Sequence, residues 1–154
     1  MGVSASQQAE LSVLLSVGLA MLLGGAIGLE REASDKPAGL RTHMLVAGAA
    51  ALVVALSDVM VQRFNTELGA QLVRSDPVRV MEAVITGVSF LGAGTIIRRG
   101  PERQVEGLTT AASLLLATAV GVCVALSQFL LAAGVTVMAL VTLRLVGRVA
   151  RGIR

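Results

Sequence analysis

The sequence predicts an all-α membrane protein that crosses the bilayer with five helices and forms one transmembrane domain over residues 1–154. Composition points to this class, because 55% of the residues are hydrophobic, only 15% are charged and the mean hydropathy is +0.80. Soluble domains carry roughly 25% charged residues. The second observation is a series of charge-poor segments, each close to the about 20 residues that a transmembrane helix needs. These properties exclude a disordered chain, a collagen-like fibre and a disulfide-stapled secreted domain.

The positions of the charges divide the chain into helices. The first apolar segment is uncharged between Glu10 and Glu30, and the next two contain Asp58 and Glu82. The uncharged segment 107–143 would form a helix about 55 Å long, far more than the roughly 30 Å hydrocarbon core. It is therefore predicted to form two helices that reverse at Ser127–Gln128. The five predicted helices comprise residues 11–29, 42–61, 77–97, 108–126 and 129–147.

Asp76 and Pro77 mark the start of the third helix. An Asp at the N-cap accepts a hydrogen bond from a backbone amide of the first turn. Pro fits the first helical position, where no amide hydrogen is needed. Helix three is therefore predicted to begin at Pro77.

The basic residues predict an external N-terminus and a cytoplasmic C-terminus. Ten of them lie after helices one, three and five, whereas three lie in the connections on the other side. Lys and Arg are enriched in cytoplasmic loops, where anionic headgroups attract them. The net charge of +3 is therefore no sign of nucleic-acid binding.

The chain resembles itself at a shift of 68 residues. Nine of the 32 positions in 23–54 are identical in the shifted copy, including the Gly-Leu pairs at 39–40 and 107–108. Two hairpins crossing in the same direction, followed by a fifth helix, would give a pseudo-two-fold axis along the membrane normal. The first turns of helices two and four should then lie close together at the cytoplasmic face. The alternative is that apolar hairpins look alike because their composition is biased.

Glycines and other small residues at four-residue spacing predict close helix contacts, because no hydrophobic effect drives helices together in lipid. The segment 92–94 allows two interpretations, close packing or a helix break of the kind found at ion sites. The predicted packing residues are Gly24, Gly28, Gly87, Gly92, Gly94 and Gly121.

Ionisable residues lie close together in the sequence at the end of helix one and the start of helix two. One interpretation is interfacial charge that snorkels to water with partial ion pairs. The other is an ordered cluster, in which Arg41 pairs with Glu30 or Glu32 and binds a cation or a partner. His43 is the only histidine, so it is expected to be a hydrogen-bonded interfacial residue and not one of a pair of imidazole metal ligands.

Glu82 lies one turn inside helix three, where a carboxylate is costly. It is either a partly wetted interfacial residue, helped by Arg79 and the helix N-terminus, or a cation or proton site together with Asp58. The candidate polar or ion-binding residues are Glu30, Glu32, Arg41, Thr42, Asp58, Asp76, Arg79, Glu82 and Thr110.

Several of these segments resemble the MgtC/SapB family of bacterial inner-membrane proteins. The matching segments are 24–32, 36–42, 76–79, 90–97 and 105–112. The resemblance implies a five-helix protein of the inner membrane that is linked to magnesium-limited growth. It also implies regulation of other membrane proteins, including the proton-driven ATP synthase. Glu82, Ala83, Ser89 and Leu114 depart from the residues expected in the family, and the cytoplasmic domain that some members carry after helix five is expected to be absent.

Two functions follow from these observations. The first is regulation by helix–helix contact, with a second copy of the chain and other membrane proteins as partners. The second is a transporter or channel for magnesium ions or protons that uses the intramembrane carboxylates. An enzyme is not predicted, because the chain has no phosphate-binding Gly-rich loop and no nucleophile near a base. No cofactor is predicted, with a magnesium ion as the one candidate.

Overall fold

The computed structural model describes residues 5–68, 76–99 and 104–146. These residues form five α-helices, a π-helical turn and two short antiparallel strands, in which Ile97 lies opposite Glu106. In chain order the elements are α1 (Ala5–Ala33), α2 (Leu40–Leu68), α3 (Pro77–Thr95), β1 (Ile97–Arg99), β2 (Gln104–Glu106), α4 (Leu108–Ala125), α5 (Phe129–Val141) and the π-helical turn Thr142–Val146.

Four helices are long and apolar enough to cross a membrane. They cover Ser6–Ala33, Leu40–Phe64, Pro77–Thr95 and Leu108–Ala125. The last apolar helix, Phe129–Leu145, is shorter than the 18 residues used for these spans. The helical membrane fold is therefore confirmed, and the fifth crossing stays a prediction.

The centre of the bundle is α4, which packs against α1, α2, α3 and α5. Half of its membrane-spanning window is buried, whereas only 6% of the window of α3 is buried. Ala20, Ala47, Ala51 and Ala117 are completely buried in the main core cluster. Small side chains let helix backbones approach closely, so dispersion and hydrogen bonding hold the bundle together in lipid.

The observed helices differ from the predicted ones near the membrane surfaces. The first helix continues to Ala33, four residues beyond its apolar segment, because Glu30 and Arg31 are buried in its last turns. The third helix ends at Thr95, and Ile97, its predicted last residue, begins β1 instead. The connection 34–39 is thus a short turn, whereas the connection 96–107 contains the two strands. The apolar segments indicate which residues cross the hydrocarbon core, but they do not indicate where a helix ends outside it.

The start of α3 has the cap that the sequence predicts. Asp76 has extended backbone angles, and its Oδ1 accepts a hydrogen bond from the Val78 amide at 3.1 Å. Arg79 Nε lies 3.7 Å from Asp76 Oδ2, but both side chains are more than half exposed. An exposed ion pair of this kind contributes little, so the cap is the stronger interaction.

Replacing Asp76 by Ala should destabilise the first turn of α3 by about 1 kcal/mol, because the Val78 amide loses its acceptor. Asp76→Asn is the matched control, because it keeps a capping oxygen and removes the charge. Amide hydrogen exchange in the first turn of α3 is the measurement. Equal exchange in the Ala and Asn variants would show that the cap does not hold this turn.

Candidate functional site

The last turns of α1 bury an ion pair between two neighbouring residues. Arg31 Nε donates to Glu30 Oε2 at 2.6 Å, and Arg31 Nη2 lies 2.5 Å from the same oxygen. The two side chains are only 5% and 6% exposed. The hydroxyl of Ser34 donates to Glu30 Oε1 at 3.0 Å. Both oxygens of this carboxylate therefore have partners, one from α1 and one from the turn that follows it.

Glu32 caps the next helix from the end of α1. Its Oε2 accepts a hydrogen bond from the Leu40 amide at 2.8 Å. A carboxylate is favoured there by the unpaired amides and the dipole of a helix N-terminus. The contact fixes the turn 34–39 and sets where α2 begins beside α1.

His43 connects α2 to α4. Its ring is completely buried, with Nδ1 2.9 Å from the Gly39 carbonyl oxygen and Nε2 2.9 Å from Ser113 Oγ. Because a carbonyl only accepts, Nδ1 carries a hydrogen. The Ser113 hydroxyl also lies 2.8 Å from the Thr110 carbonyl oxygen. Its single hydrogen serves either that carbonyl or the Nε2 of a neutral ring.

This bond places the first turns of α2 and α4 side by side. The backbones of α1 and α2 are close at the same level, since a Cβ on Gly28 would lie 2.8 Å from the Gly39 carbonyl oxygen. A Cβ on Gly24 would lie 2.7 Å from the His43 carbonyl oxygen. We call Glu30, Arg31, Glu32, His43 and Ser113 the polar cluster; it belongs to the ends of three helices.

The structure brings together a different set of charges from the one predicted at this end. Arg41 and Thr42 are exposed, and the partner of Glu30 is Arg31, which follows it on the same helix. Thr110 is buried next to Ser113. The internal repeat predicted that the first turns of helices two and four are close, but no pattern indicated the bond between His43 and Ser113, which are 70 positions apart.

At the other end the predicted residues lie on the surface. Asp58, Asp76, Arg79 and Glu82 are all exposed. Neither Asp58 nor Glu82 has a side-chain hydrogen bond or ion pair with any described residue. Within the described residues, no three His, Cys, Asp or Glu side chains are placed to hold a metal ion together.

The predicted packing glycines fall into two groups. A Cβ on Gly121 would lie 2.1 Å from the Ala47 carbonyl oxygen, so α2 and α4 meet there with no space between them. Gly92 has ordinary contacts with Ala111, and α3 continues through it as a helix. Gly87 and Gly94 face open space, with nothing within 4 Å.

The cavities on the described part of the chain include two that lie between neighbouring helices. One lies between α4 and α5, has a volume of about 340 Å³, and has the hydroxyls of Thr109, Ser113 and Thr142 in its otherwise apolar wall. The other lies between α2 and α3, has a volume of about 370 Å³, and is lined by apolar residues. No ionisable side chain lines either cavity.

Replacing His43 by Ala should destabilise the protein by about 2–3 kcal/mol, because two hydrogen bonds and a buried ring are lost. Ser113→Ala should cost about 1 kcal/mol, and the two changes together should show a coupling of about 0.5–1.5 kcal/mol. Unfolding in detergent, followed by circular dichroism, gives these values. Ser57→Ala is the control, because that hydroxyl bonds only to the Val53 carbonyl of its own helix. A coupling of zero would mean that His43 and Ser113 do not interact.

Comparison with known proteins decides the family. The model described as the MgtC family matches residues 17–151, which include the whole polar cluster. This chain belongs to the MgtC family. The MgtC protein of Salmonella typhimurium LT2 is 38% identical to it over 127 residues, which are 82% of this chain and 49% of that protein. The YhiD protein of Escherichia coli K12 is 38% identical over 125 residues, 81% of this chain and 56% of the relative.

Another relative is the SapB protein of Bacillus subtilis, which is 36% identical over 102 residues, 66% of this chain and 42% of that protein. The MgtC-family chain described here thus spans about half the length of these curated relatives. No solved structure matches it. The MgtC/SapB resemblance seen in its motifs is confirmed, and the chain is a multi-pass membrane protein of that family.

Proposed function

We propose that this chain is a regulatory protein of the bacterial inner membrane, linked to magnesium homeostasis, that acts through lateral helix contacts with other membrane proteins. One observation carries the proposal. Among the described residues, every buried side-chain nitrogen and oxygen atom already has a hydrogen-bond partner. The buried polar atoms of the bundle are therefore hydrogen-bonded within the chain. The outer faces of its helices are the surface that remains for contacts with other proteins.

A transport function would need different chemistry along a path. Ionisable groups in a membrane protein normally face a water-filled cavity when they conduct ions. Here both oxygens of Glu30 are engaged by Arg31 and Ser34, and both cavities have walls without ionisable groups. These contacts favour regulation over transport.

The link to magnesium comes from the relatives. The name of the Escherichia coli K12 relative associates YhiD with magnesium transport, and the family resemblance implies a link to magnesium-limited growth. We propose the same physiological setting for this chain, without a resident cofactor, without enzymatic activity and without a nucleic-acid partner. The proposed partners are the lipid bilayer, a second copy of the chain and membrane proteins such as the ATP synthase.

The second candidate function is a carrier or channel for magnesium ions or protons. The observation that favours it is the pair of exposed carboxylates, Glu82 and Asp58, neither of which has a partner among the described residues. A carboxylate that faces the membrane without a partner is a candidate ion site.

Flux through liposomes separates the two functions. The purified protein should move neither magnesium ions nor protons faster than protein-free liposomes, as reported by dyes trapped inside, with an ionophore as the positive control. Glu82→Gln tests the carboxylate, and Arg41→Ala is the control at the opposite end of the bundle. Flux that Glu82→Gln abolishes and Arg41→Ala leaves unchanged would overturn regulation and establish the second candidate.

A further inference from the structure

We propose that α3 pairs with α3 of a second copy of this chain through one polar face, related by a two-fold axis along the membrane normal. We call this face the α3 stripe; it consists of Arg79, Glu82, Thr86, Ser89 and Ala93. The inference deepens the proposed function, since it names the surface and the first partner for the lateral contacts.

The α3 stripe follows from helix geometry and exposure. Its members are spaced three and four residues apart, so they lie on one face of the helix, and all five are exposed. Only 6% of the spanning window of α3 is buried, compared with 28%, 33% and 50% for α1, α2 and α4. Of the four spans, this helix therefore has the largest fraction of residues that are not buried in the bundle.

Two side chains of the α3 stripe lack partners at membrane depth. Glu82 and Ser89 lie about 9 Å and about 20 Å along the helix from its cap, within a hydrocarbon core of about 30 Å. Thr86 donates to the Glu82 carbonyl at 2.7 Å, but the side chains of Glu82 and Ser89 have no hydrogen bond with any described residue. A carboxylate or hydroxyl facing acyl chains is costly, so a protein surface should cover this face.

The charges of the α3 stripe fit a second copy. Arg79 and Glu82 have opposite charges and lie one turn apart, and Arg79 is 84% exposed. Copies of one sequence insert in the same orientation, because the same basic residues set it. Their α3 helices therefore run parallel, with equal residues at equal depth. A two-fold axis then places each Glu82 within one turn of Arg79 of the partner subunit.

The remaining members suit such a pair as well. Ser89 would meet Ser89 of the partner subunit, and a hydroxyl both donates and accepts a hydrogen bond. Ala93 is small enough to let the two backbones approach, as interfaces between membrane helices require. Isologous dimers of this kind are the commonest symmetric assemblies.

Cysteine cross-linking in native membranes tests the interface. In a Cys123→Ala background, Thr86→Cys, Ser89→Cys and Ala93→Cys should each form a dimer under oxidation. The matched controls are Met81→Cys and Leu91→Cys, which lie on other faces of α3 and are 41% and 51% exposed. They should give several-fold less dimer, as should Leu130→Cys on α5, which is 89% exposed. Equal dimer at Leu91 and Ser89, or adducts only with a protein of another mass, would overturn the proposal.

A charge exchange tests the ion pair. Glu82→Arg and Arg79→Glu should each reduce dimer formation about tenfold, because the side chains at positions 79 and 82 of both copies then all carry the same charge. Co-expressed with different affinity tags, the two variants should co-purify as a mixed dimer, and the double variant Arg79→Glu/Glu82→Arg should dimerise as wild type. Detergent melts confirm that each variant is folded. A mixed pair no better than either variant alone would overturn the proposal.

The cross-linking and flux results are independent. Flux together with the predicted cross-linking pattern would reject the regulatory function and keep the interface. Absence of both would keep the regulatory function and reject this interface.

Discussion

Replacing Gly121 by Ala should destabilise the protein by about 3 kcal/mol or more, as expected for severe overpacking. The new Cβ would lie 2.1 Å from the Ala47 carbonyl oxygen and 3.0 Å from its carbonyl carbon. Both are backbone atoms, so relief requires α2 and α4 to move apart. That movement would also lengthen the hydrogen bond between His43 and Ser113, which joins the same two helices.

The measurement is thermal unfolding in detergent, followed by circular dichroism because the chain contains no Trp or Tyr. Gly134→Ala and Gly18→Ala are the controls, since nothing lies within 4 Å of a Cβ at either position. Ala is the better helix former by about 1 kcal/mol, so both controls should be neutral or stabilising. If Gly121→Ala unfolded at the same temperature as the two control variants, α2 and α4 would not be in close contact at this position.

Replacing Glu30 by Ala should destabilise the protein by about 3–5 kcal/mol, because Arg31 would keep a buried charge without its carboxylate. Arg31 is only 4% exposed, so water does not reach the guanidinium unless α1 moves. The same unfolding measurement applies. Glu10→Ala on the same helix is the matched control, because Glu10 is exposed and its removal should change stability by less than about 0.5 kcal/mol.

A double variant separates the charge from the packing. Glu30→Met/Arg31→Met removes both charges and keeps apolar volume, so it should be more stable than Glu30→Ala. If the double variant were the less stable of the two, the ion pair itself would stabilise the bundle. If Glu30→Ala and Glu10→Ala behaved alike, the burial of this pair would be incorrect.

The two stability predictions bear on function through the same region. Gly121 sets the separation of α2 and α4, and Glu30 neutralises the charge at the end of α1. Gly121 and Glu30 are buried, whereas every member of the α3 stripe is exposed. Variants of the stripe should therefore change association without a comparable loss of stability, whereas variants of the cluster should lower stability first.

Much of the fold follows from properties that a sequence displays directly. Hydropathy and charge spacing identify five helices, four of which are long and apolar enough to cross a membrane, and Asp76 with Pro77 identifies the start of α3. The short strands of the α3–α4 connection were missed, because three-residue pairs such as 97–99 and 104–106 leave no periodic pattern. The motifs between residues 24 and 112 were also sufficient to indicate the family that the comparison then showed.

The candidate site was predicted less completely. The sequence left open whether the charges at the end of helix one snorkel to water or whether Arg41 pairs with Glu30 or Glu32. In the structure Glu30 pairs with Arg31, and Glu32 accepts a hydrogen bond from the Leu40 amide. The internal repeat predicted that the first turns of α2 and α4 lie close together, but it did not indicate that His43 would bond to Ser113.

Three features depend on residues that lie close together in the sequence. They are the insertion of the chain into lipid, the positions of its helices and the capping residue of α3. The partners of its buried polar groups depend on how closely three helices approach. That separation is set by backbone contacts at Gly24, Gly28 and Gly121, which join residues that lie far apart along the chain. Tertiary packing therefore decided which charges are buried as pairs and which remain exposed on α3.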